Sequence, residues 1–312
     1  MSGFNAANHI KGPAIVVFNG HSWYTENDIT VKPVIESWSV NTSIFGKVDE
    51  RLKSKAFEIS FTPVGACVAA YLTKSFPYTV DMVGDSIYGA ADVPLVIWTC
   101  AGIKHTYSRA AITKMPSIHL GTQKSAFGAM SFRCLLATST EFTAAGAFNT
   151  LSTVVLADAT FDETKLTTPN YFAAFGESPY DVIDSVDGFD IDLGIELNDT
   201  KADRYGLVDQ RIKGLTVSAK FQPAGLTEAQ YLALIGDLTT AIKPGESLAK
   251  AGTSLVITGA SGGLKVTLPK CGVKSGAWAF GDAERCGELE FTNRVGFTGG
   301  AATNPWTLEV VA

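Results

Sequence analysis

The sequence lacks the segments that would carry a chain into or across a membrane. No apolar run approaches the roughly 18 to 20 residues that span a bilayer, although 46% of the residues are hydrophobic. Residues 1–5 form no basic region followed by a continuous apolar stretch, which is the pattern of a secretory signal peptide. These absences predict that the protein folds in a cytoplasm.

Cysteine is sparse and shows no paired spacing. The five cysteines are odd in number and form no Cys-x-x-Cys pair, which argues against a disulfide framework and against a zinc site. We interpret them as small buried hydrophobic residues. They are Cys67, Cys100, Cys134, Cys271 and Cys286.

An excess of positive charge is also missing. The formal net charge is −6 and lies in the second half of the chain, because residues 1–165 carry 13 basic and 13 acidic side chains. Residues 177–203 contain nine acidic residues and a single lysine, Lys201. A nucleic-acid-binding protein has the opposite pattern, a basic surface that neutralises phosphates. The composition therefore does not predict DNA binding.

Sequence motifs of catalysis and of cofactor binding are absent as well. The four histidines are separated in the sequence, without a His-Glu-x-x-His or a Gly-x-Ser-x-Gly motif. The glycine-rich segment 259–265 lacks the ending of a phosphate loop, and a hairpin turn explains it better. Asp184, Asp187, Asp190 and Asp192 do not have the spacing of an EF-hand loop. We predict no enzyme activity, no cofactor and no metal.

What the sequence does contain is an internal repeat. Segment 48–65 returns as 208–225, with identical Val, Asp, Arg, Lys, Phe, Pro and Gly at matching positions. The same spacing aligns Tyr71 with Tyr231 and Leu95 with Leu255. So long a period indicates a duplicated domain, because solenoid repeats recur about every 20 to 50 residues. We predict two homologous domains, residues 1–160 and 161–312, with a polar linker at 157–172.

Hydrophobic alternation predicts β-strands in both copies. Residues 189–197 place apolar side chains on one face and Asp190, Asp192 and Glu196 on the other, as in a half-buried strand. The counterpart of this strand, 31–40, contains Pro33 and is predicted to be an edge or bulged strand. Further predicted strand pairs are 56–61 with 215–221, 95–99 with 255–258, 105–111 with 264–268, and 127–136 with 287–292.

One helix is predicted in each copy. Thr227 and Gln230 have the spacing of a capping box, and Leu232 and Ile235 would share one face of the helix that follows. Residues 66–74 occupy the same place in the first copy. The predicted fold class is therefore mainly β, with two tandem homologous antiparallel β-sandwich or rolled-sheet domains, each with one packed α-helix.

Both copies carry an aspartate and an arginine two residues apart, Asp49 with Arg51 and Asp209 with Arg211. In an extended strand the two side chains of each pair face the same side. An exposed pair within one hairpin contributes only about 0 to 1 kcal/mol, whereas a pair across a subunit boundary fixes the register of two partners. The sequence leaves both interpretations open.

The ordered series of motifs resembles the tail tube (major tail) proteins of tailed bacteriophages. The series is Gly-x-Ser-x-Tyr, Ile-Glu-Ser-Trp-Ser-Val, Phe-Gly-x-Val-Asp-x-Arg, Phe-Thr-Pro-x-Gly and Gly-Asp-Ser-Ile, and parts of it occur twice. Members of this family stack rings of six tube domains around a channel for DNA. The resemblance implies a structural virion protein in a duplicated form, with three chains and six domains in each ring.

The resemblance also implies partners and a location. The chain would bind copies of itself in homotrimeric rings closed by head-to-tail contacts. Other tail proteins, such as a tape measure, a terminator and, in a contractile tail, a sheath, would bind the tube. DNA would be a passenger that the channel does not bind, and no membrane partner is implied. Assembly in the bacterial cytoplasm would place the protein in the virion tail.

Two groups of residues are candidate sites in such a tube. Asp190, Asp192 and Glu196 would face the lumen, since acidic groups do not hold a sliding polyanion; in the alternative interpretation they only solvate an outer face. Segments 41–55 and 198–214 are predicted to be loops whose apolar side chains mediate ring stacking. The stacking residues are Ile44, Phe45, Gly46, Tyr205 and Gly206.

Other functional classes remain open from the sequence. A baseplate or capsid-decoration protein would share the β-rich composition but would not form long polymers alone. A carbohydrate-binding β-sandwich module would show clustered exposed tryptophans, whereas the tryptophans here are spread along the chain. A glycosidase would need two carboxylates flanking a cleft. A type VI secretion tube is related, but its subunits have a single domain.

Overall fold

The fold is described by a computed structural model. The described residues are 14–26, 28–64, 84–88, 92–99, 102–121, 125–135, 149–153, 170–176, 180–202, 206–235, 253–260, 263–276, 278–279, 285–293, 296–298, 301–303 and 306–311. This part of the chain is mainly β, with antiparallel strand pairs and one α-helix.

The strands of the first half include two long ones, β3 and β4, that form a hairpin. The bounds are β1 Ala14–Phe18, β2 His21–Trp23, β3 Thr30–Thr42, β4 Gly46–Phe61, β5 Leu95–Thr99, β6 Ile103–Tyr107, β7 Arg109–Lys114, β8 Ile118–Leu120, β9 Ser125–Phe127, β10 Met130–Leu135 and β11 Asn149–Thr153.

The second half has a matching long hairpin, β14–β15, and carries the helix. The bounds are β12 Tyr171–Phe175, β13 Asp184–Ser185, β14 Phe189–Ala202, β15 Gly206–Phe221, β16 Pro223–Ala224, α1 Glu228–Leu234, β17 Leu255–Gly259, β18 Leu264–Leu268, β19 Cys271–Ser275, β20 Trp278–Ala279, β21 Arg285–Cys286, β22 Leu289–Asn293, β23 Gly296–Thr298, β24 Ala301–Thr303 and β25 Thr307–Val310.

The strand order of the first half recurs in the second. One sheet of the first half contains β11-β6-β5-β1, extended by β2, and the other is β3-β4-β10-β7. In the second half the corresponding orders are β25-β18-β17-β12 and β14-β15-β22-β19. The sequence period of 160 residues therefore has a counterpart in the way the strands are connected.

Matching aromatic clusters lie between the sheets of each half. The ring of Phe132 stacks on Phe61 with centroids 5.9 Å apart and meets Phe18 edge-on at 4.9 Å. Offset-stacked and edge-on arrangements are the favoured geometries of aromatic pairs. This cluster joins side chains of two sheets, with Phe18 on β1 and with Phe61 and Phe132 on β4 and β10.

The cluster of the second half has the same members at matching positions. Phe291 stacks on Phe221 at 5.3 Å and meets Phe175 edge-on at 5.2 Å. Phe61 and Phe221 both end the second strand of the long hairpin and are both buried. Leu95 and Leu255 both begin five-residue strands and are fully buried. Tyr71, the predicted partner of Tyr231, lies outside the described residues.

Alternation explains why β14 forms at the predicted place. Phe189, Ile191 and Leu193 are buried, whereas Asp190 and Asp192 between them are exposed. The predicted half-buried strand is therefore confirmed. Its counterpart β3 is an edge strand with two irregularities of register, after Glu36 and after Val40, which confirms the expectation drawn from Pro33.

Helix α1 begins with the predicted capping box. The Thr227 side chain accepts a hydrogen bond from the Gln230 backbone N–H, and the Gln230 side chain accepts one from the Thr227 backbone N–H. The buried helix residues are Tyr231 and Leu234, with Ile235 packed against the core, so the inward face differs from the predicted Leu232–Ile235 pair. The helix predicted at 66–74 lies outside the described residues.

Three boundary predictions were wrong. Segments 41–55 and 198–214 are mostly strand rather than loop, because backbone pairing of β3 with β4 and of β14 with β15 continues almost to the hairpin ends. The strand predicted at 105–111 is broken at Ser108 into β6 and β7, which belong to different sheets. The end of the predicted linker, Tyr171 and Phe172, already lies in β12.

The described cysteines are free thiols. Cys134 and Cys271 are buried, as predicted, and Cys286 is half-buried. Burial raises the pKa of the Cys134 thiol above its ordinary range and that of Cys271 to about 12, so both stay protonated at neutral pH. Cys67 and Cys100 lie outside the described residues.

Candidate assembly interface

The two halves of the chain share a β-sheet. Strand β8 of the first half pairs antiparallel with the start of β14, with Asp190 opposite His119 and Ile191 opposite Ile118. The hairpin β8–β9 thereby extends the sheet of the second half to the order β19-β22-β15-β14-β8-β9. We call the whole contact between the halves the junction.

The distal part of the hairpin β14–β15, residues 196–212, forms the second component of the junction. We call it the second arm, and residues 36–52 of β3–β4 the first arm. The second arm makes backbone hydrogen bonds with residues 84–87 of the first half. Gly84 N–H donates to the Ile212 carbonyl at 2.8 Å, Ile212 N–H to the Asp85 carbonyl at 2.9 Å, and Ile87 N–H to the Gln210 carbonyl at 2.9 Å.

Side chains of the second arm are satisfied by the first half. The Ser86 hydroxyl donates to Asp209 Oδ1 at 2.5 Å, and the Tyr88 hydroxyl donates to Gln210 Oε1 at 3.3 Å. Gln210, only 3% exposed, also donates from Nε2 to Asp199 Oδ1 at 2.7 Å. A buried amide left without partners would destabilise the fold, so these contacts fix the position of the second arm.

Arg109 connects the core of the first half to the second arm. Its Nη1 donates to the Val208 carbonyl at 3.1 Å, and its Nε lies 3.5 Å from Asp92 Oδ1. The guanidinium also lies over the Tyr88 ring, 4.8 Å from its centroid. This partly buried cation thus holds strand β15 of the second arm through the Val208 carbonyl. Because the acceptor is a main-chain group, the contact does not depend on which side chain residue 208 carries.

An ion pair and a glycine complete the junction. Lys201 Nζ donates to Glu36 Oε1 at 2.8 Å, and this hydrogen bond lowers the pKa of Glu36 and raises the pKa of Lys201. Gly206 has a φ of 73°. A Cβ on Gly206 would lie 2.5 Å from the Lys53 carbonyl oxygen and 2.6 Å from the Ser54 Cβ, so the close approach requires glycine.

The first arm has the same sequence pattern but opposite surroundings. Leu52 is 61% exposed, whereas its counterpart Ile212 is 1% exposed. Gly46 has a φ of 68°, close to that of Gly206, yet a Cβ there would meet no atom within 4 Å. Lys47 pairs with Glu50 of the same arm at 2.6 Å. One arm is therefore a contact surface within the chain, and the other presents the same surface to solvent.

The predicted Asp–Arg pairs occur in both arms. Arg51 Nε lies 3.0 Å from Asp49 Oδ2, and Arg211 Nε lies 3.4 Å from Asp209 Oδ2. The Asp49 carboxylate accepts from Arg51 and from a backbone N–H, which lowers its pKa. Both pairs are thus ion pairs within one hairpin, and Asp209 also accepts a hydrogen bond from Ser86 of the first half. A role of either pair across a subunit boundary stays a prediction.

The three predicted lumen residues are solvent-exposed, but two of them have cationic or titratable neighbours. Asp190 Oδ1 lies 2.6 Å from His119 Nδ1, and Glu196 Oε2 lies 3.5 Å from Lys213 Nζ. Asp192 faces Ser218 on β15. The outer face of β14 thus carries acidic side chains whose charge is partly balanced by neighbouring Lys213. That this face lines a lumen stays a prediction.

The predicted stacking residues have different surroundings. Ile44 and Phe45 form the exposed end of the first arm, at 82% and 78% exposure. Gly46 follows them, while Gly206 is buried against the first half of the same chain. Tyr205 lies outside the described residues. Ring stacking stays a prediction for Ile44 and Phe45.

Sequence reasoning missed most of the residues that form the junction. His119, Arg109 and Gln210 had no assigned role, because the residues they contact are distant in the sequence. With a small shift of register, the repeat aligns Gly-Asp-Ser-Ile at 84–87 with Gly-Glu-Ser-Leu at 245–248, which indicates a role for this segment in both copies. Residues 245–248 lie outside the described residues.

Within the described ranges, no group of three or more His, Cys, Asp or Glu side chains is placed to hold a metal ion. No helix in that part of the chain is long and apolar enough to cross a membrane. The chain matches no protein-family model, and no curated protein is detectably similar to it.

Proposed function

We propose that this protein is a two-domain tail tube protein of a tailed bacteriophage. Three copies would close a ring of six quasi-equivalent domains, and the rings would stack into a tube whose channel passes DNA. The protein would act as a structural component of the virion, through shape and charge rather than through catalysis.

The repeated pair of sheets supports a tandem β-sandwich. In each half, an edge-on aromatic contact joins one four-stranded order to the other, Phe18 with Phe132 and Phe175 with Phe291. Two packed sheets with inward aromatic side chains are the usual core of a sandwich domain. Two such domains in one chain are suited to a ring with an even number of domains.

The observation that carries the proposal is the difference between the two arms. The second arm is covered by the first half, and the first arm exposes Trp38, Ile44, Phe45, Val48 and Leu52. Several large apolar side chains exposed on one hairpin are more than the isolated ones that a monomer's surface normally carries, and they indicate a partner. A duplicated chain in which one copy of a contact surface is occupied and the other is exposed is the unit expected of a head-to-tail assembly.

The charge pattern is compatible with a channel for DNA. The outer face of β14 carries Asp190, Asp192 and Glu196, and the lysines of β15 beside them, Lys213 and Lys220, reduce the net field. A weakly acidic wall repels phosphates enough to prevent binding without creating a steep barrier to entry. Edge-to-edge pairing of the sheets, as between β8 and β14, would give such a wall without exposed strand edges.

Electron microscopy of the concentrated protein, combined with mass measurement of its smallest closed oligomer, tests this function. We expect rings of three chains that stack into hollow tubes. A protein that stays monomeric at every concentration, or that closes rings of six chains, would contradict the proposal. Single rings that never stack would instead favour the baseplate or decoration class.

A further inference from the structure

We infer that the first arm and the Thr30 edge of one copy bind the second half of another copy through a contact that repeats the junction. The inference rests on the proposed function and specifies its lateral interface. It starts from one asymmetry of the described residues: the strands that meet in the junction, β14 and β8, have counterparts in β3 and β20, and these two are not paired with one another in that part of the chain.

The first component is strand pairing. Within the described residues, β14 is paired on both sides, with β15 and with β8, whereas its counterpart β3 is paired only with β4. Likewise β8 is paired with β9 and β14, whereas β20 is paired only with β21. The edges left over, one on β3 and one on β20, correspond to the two strands that meet in the junction. Open edges of this kind pair with a further strand when one is supplied.

The register of the proposed pairing follows from the repeat. In the first hairpin Thr30 lies opposite Ser60, and in the second Asp190 lies opposite Lys220, so both residue numbers differ by 160 between the two pairs. Ile118 lies opposite Phe127 in β8–β9, and Trp278 lies opposite Cys286 in β20–β21. The residue numbers differ by 160 on the first strand and by 159 on the second. Asp190 faces His119 in the junction, so Thr30 of one copy would face Ala279 of the next.

The second component is the arm. Gly206 packs on Lys53 and Ser54, and the counterparts of these two residues are Lys213 and Gly214. Gly46 of one copy would therefore pack on Lys213 and Gly214 of the next, with Leu52 covered as Ile212 is covered now. The positive φ at Gly46 closes the short hairpin turn at 43–45, and the open space around it leaves room for the close approach that Gly206 makes.

Polar partners are available at matching places. Asn41 and Glu196 are the counterparts of the ion-paired Lys201 and Glu36. In the proposed contact the Asn41 amide of one copy would donate a hydrogen bond to the Glu196 carboxylate of the next. Lys270 is the counterpart of Arg109. Each is followed by a residue whose N–H donates to a carbonyl just before a strand: Ala110 to Val93 before β5 and Cys271 to Thr253 before β17. Lys270 is thus placed to donate to the Val48 carbonyl of the next copy, and Glu196 would lie at the margin of the proposed lumen face.

A second copy of this chain is the occupant that these matching surfaces support. Among the described residues, the strand edges and the arm of the proposed contact are counterparts of surfaces already satisfied in the junction, with matching strand pairing and a similar positive φ at Gly46 and Gly206. The counterpart of segment 84–87 lies outside the described residues. A different protein would have to reproduce both the strand register and the arm contact. Because the contact is head-to-tail, each copy would use its first half toward one neighbour and its second half toward the other.

Disulfide trapping between two variants that each carry one accessible cysteine tests the register. Thr30→Cys and Ala279→Cys are prepared separately, each with Cys67, Cys100 and Cys286 replaced by serine while the buried Cys134 and Cys271 are kept, and the two are then mixed and oxidised. Opposed residues of antiparallel strands have Cα atoms about 4.5 to 5.5 Å apart, within the range of a disulfide. We expect a covalent dimer in the mixture and none in either variant alone. A cross-link between the halves of one chain in His119→Cys with Asp190→Cys is the matched positive control.

The outcomes separate this inference from the proposed function. Rings or tubes without the Thr30–Ala279 cross-link would overturn the inference and leave the tube function standing. Absence of any oligomer would overturn both. A pairing of Thr30→Cys with Lys265→Cys, which lies on the other sheet of the second half, should give no dimer. A dimer in that pair would mean that collisions rather than register cause the cross-link.

The arm is tested by Leu52→Asp. In a single chain the side chain is largely in water, so the unfolding midpoint of the dilute protein should be nearly unchanged, whereas a buried carboxylate at the interface should abolish oligomers. Val186→Asp is the matched control, because Val186 is similarly exposed, at 56%, but lies outside the arm. Normal oligomers from Leu52→Asp, or loss of oligomers from Val186→Asp, would overturn the inference.

Discussion

Two glycines with nearly the same backbone conformation show how surroundings decide the role of a residue. Gly46 and Gly206 both have positive φ, which L-residues adopt only at a cost of about 1–2 kcal/mol. Only Gly206 is also enclosed, by Lys53 and Ser54. Backbone strain is thus common to the two positions, and steric exclusion is specific to the second.

Alanine substitution at these positions should separate the two effects. Gly206→Ala should lower the free energy of unfolding by the cost of positive φ and by about 1–3 kcal/mol more for overpacking, whereas Gly46→Ala should show the φ cost alone. Urea unfolding of the dilute protein measures both. Gly20→Ala, at an open position with φ of 77°, is the reference for backbone strain. Equal losses at Gly46 and Gly206 would argue against the described junction.

At the scale of elements, the junction contains an ion pair, Lys201 with Glu36, whose contribution to stability changes with pH. The Lys201 hydrogen bond lowers the pKa of Glu36 below its ordinary value of 4.5, so its stabilisation is present above that pH and is lost as pH falls through the folded-state pKa. The pKa of Lys201 is raised above its ordinary value of 10.5, so its stabilisation is present below that pH and lost on further alkalinisation. The pair is partly exposed, which limits its effect to about 1 kcal/mol or less.

We therefore expect Lys201→Ala to be less stable than the parent chain between these two limits and equally stable at strongly acidic pH. Unfolding midpoints measured across pH 2 to about 9 would show the two curves converging on the acid side. Lys265→Ala, which removes a cation paired with Glu309 in the other sheet of the second half, is the control for charge. A difference that persists below the folded-state pKa of Glu36 would show that Lys201 acts through packing instead.

The elements that could be predicted are those with a local signal. Strand β14 alternates strictly, and the box at Thr227 and Gln230 marks the start of α1. Segments 41–55 and 198–214 were wrongly predicted to be loops. Polar and charged residues occur on both faces of 47–55, and no hydrophobic alternation marks a strand of this kind. The junction itself joins residues such as Ser86 and Asp209, and local patterns carry no information on contacts at that separation.

At the scale of the whole molecule, the acidic face of β14 gives a prediction about DNA passage. Replacing Asp190, Asp192 and Glu196 by lysine should leave the subunit folded, because the three positions are hydrated. It should slow DNA ejection from virions at low salt, where attraction to phosphates is strongest. The lysine variant of three exposed acids on other elements, Asp184, Glu228 and Glu309, should eject DNA at the parent rate.

Equal ejection rates of the two lysine variants would count against a lumen-facing β14. Assembly has to be checked first, by particle counts, because Glu196 also belongs to the lateral contact inferred above. An Asp190→Lys and Asp192→Lys double variant avoids that position and should retain most of the effect.

The end of the first arm gives a second prediction at this scale. Deleting residues 41–47 removes Ile44 and Phe45, which are exposed in the single chain, together with Asn41 and Gly46 of the lateral contact inferred above. The shortened protein should therefore fold but give no long tubes, and isolated rings rather than free subunits from the double serine variant of Ile44 and Phe45 would assign the loss to stacking. Electron microscopy measures tube length, and Ile44→Ser with Phe45→Ser provides a milder version that keeps the backbone. Tubes of normal length from both variants would exclude a stacking role for this loop.

The strand pairing of β8 with β14 within one chain also affects how assembly depends on concentration. A contact between two halves of the same chain forms at an effective concentration fixed by the linker and not by the amount of protein. In a ring of three two-domain chains, every second lateral contact would be made before any encounter. Closure would need three molecules to meet instead of six, so rings would form at lower subunit concentrations and with a less steep concentration dependence than rings of single-domain subunits.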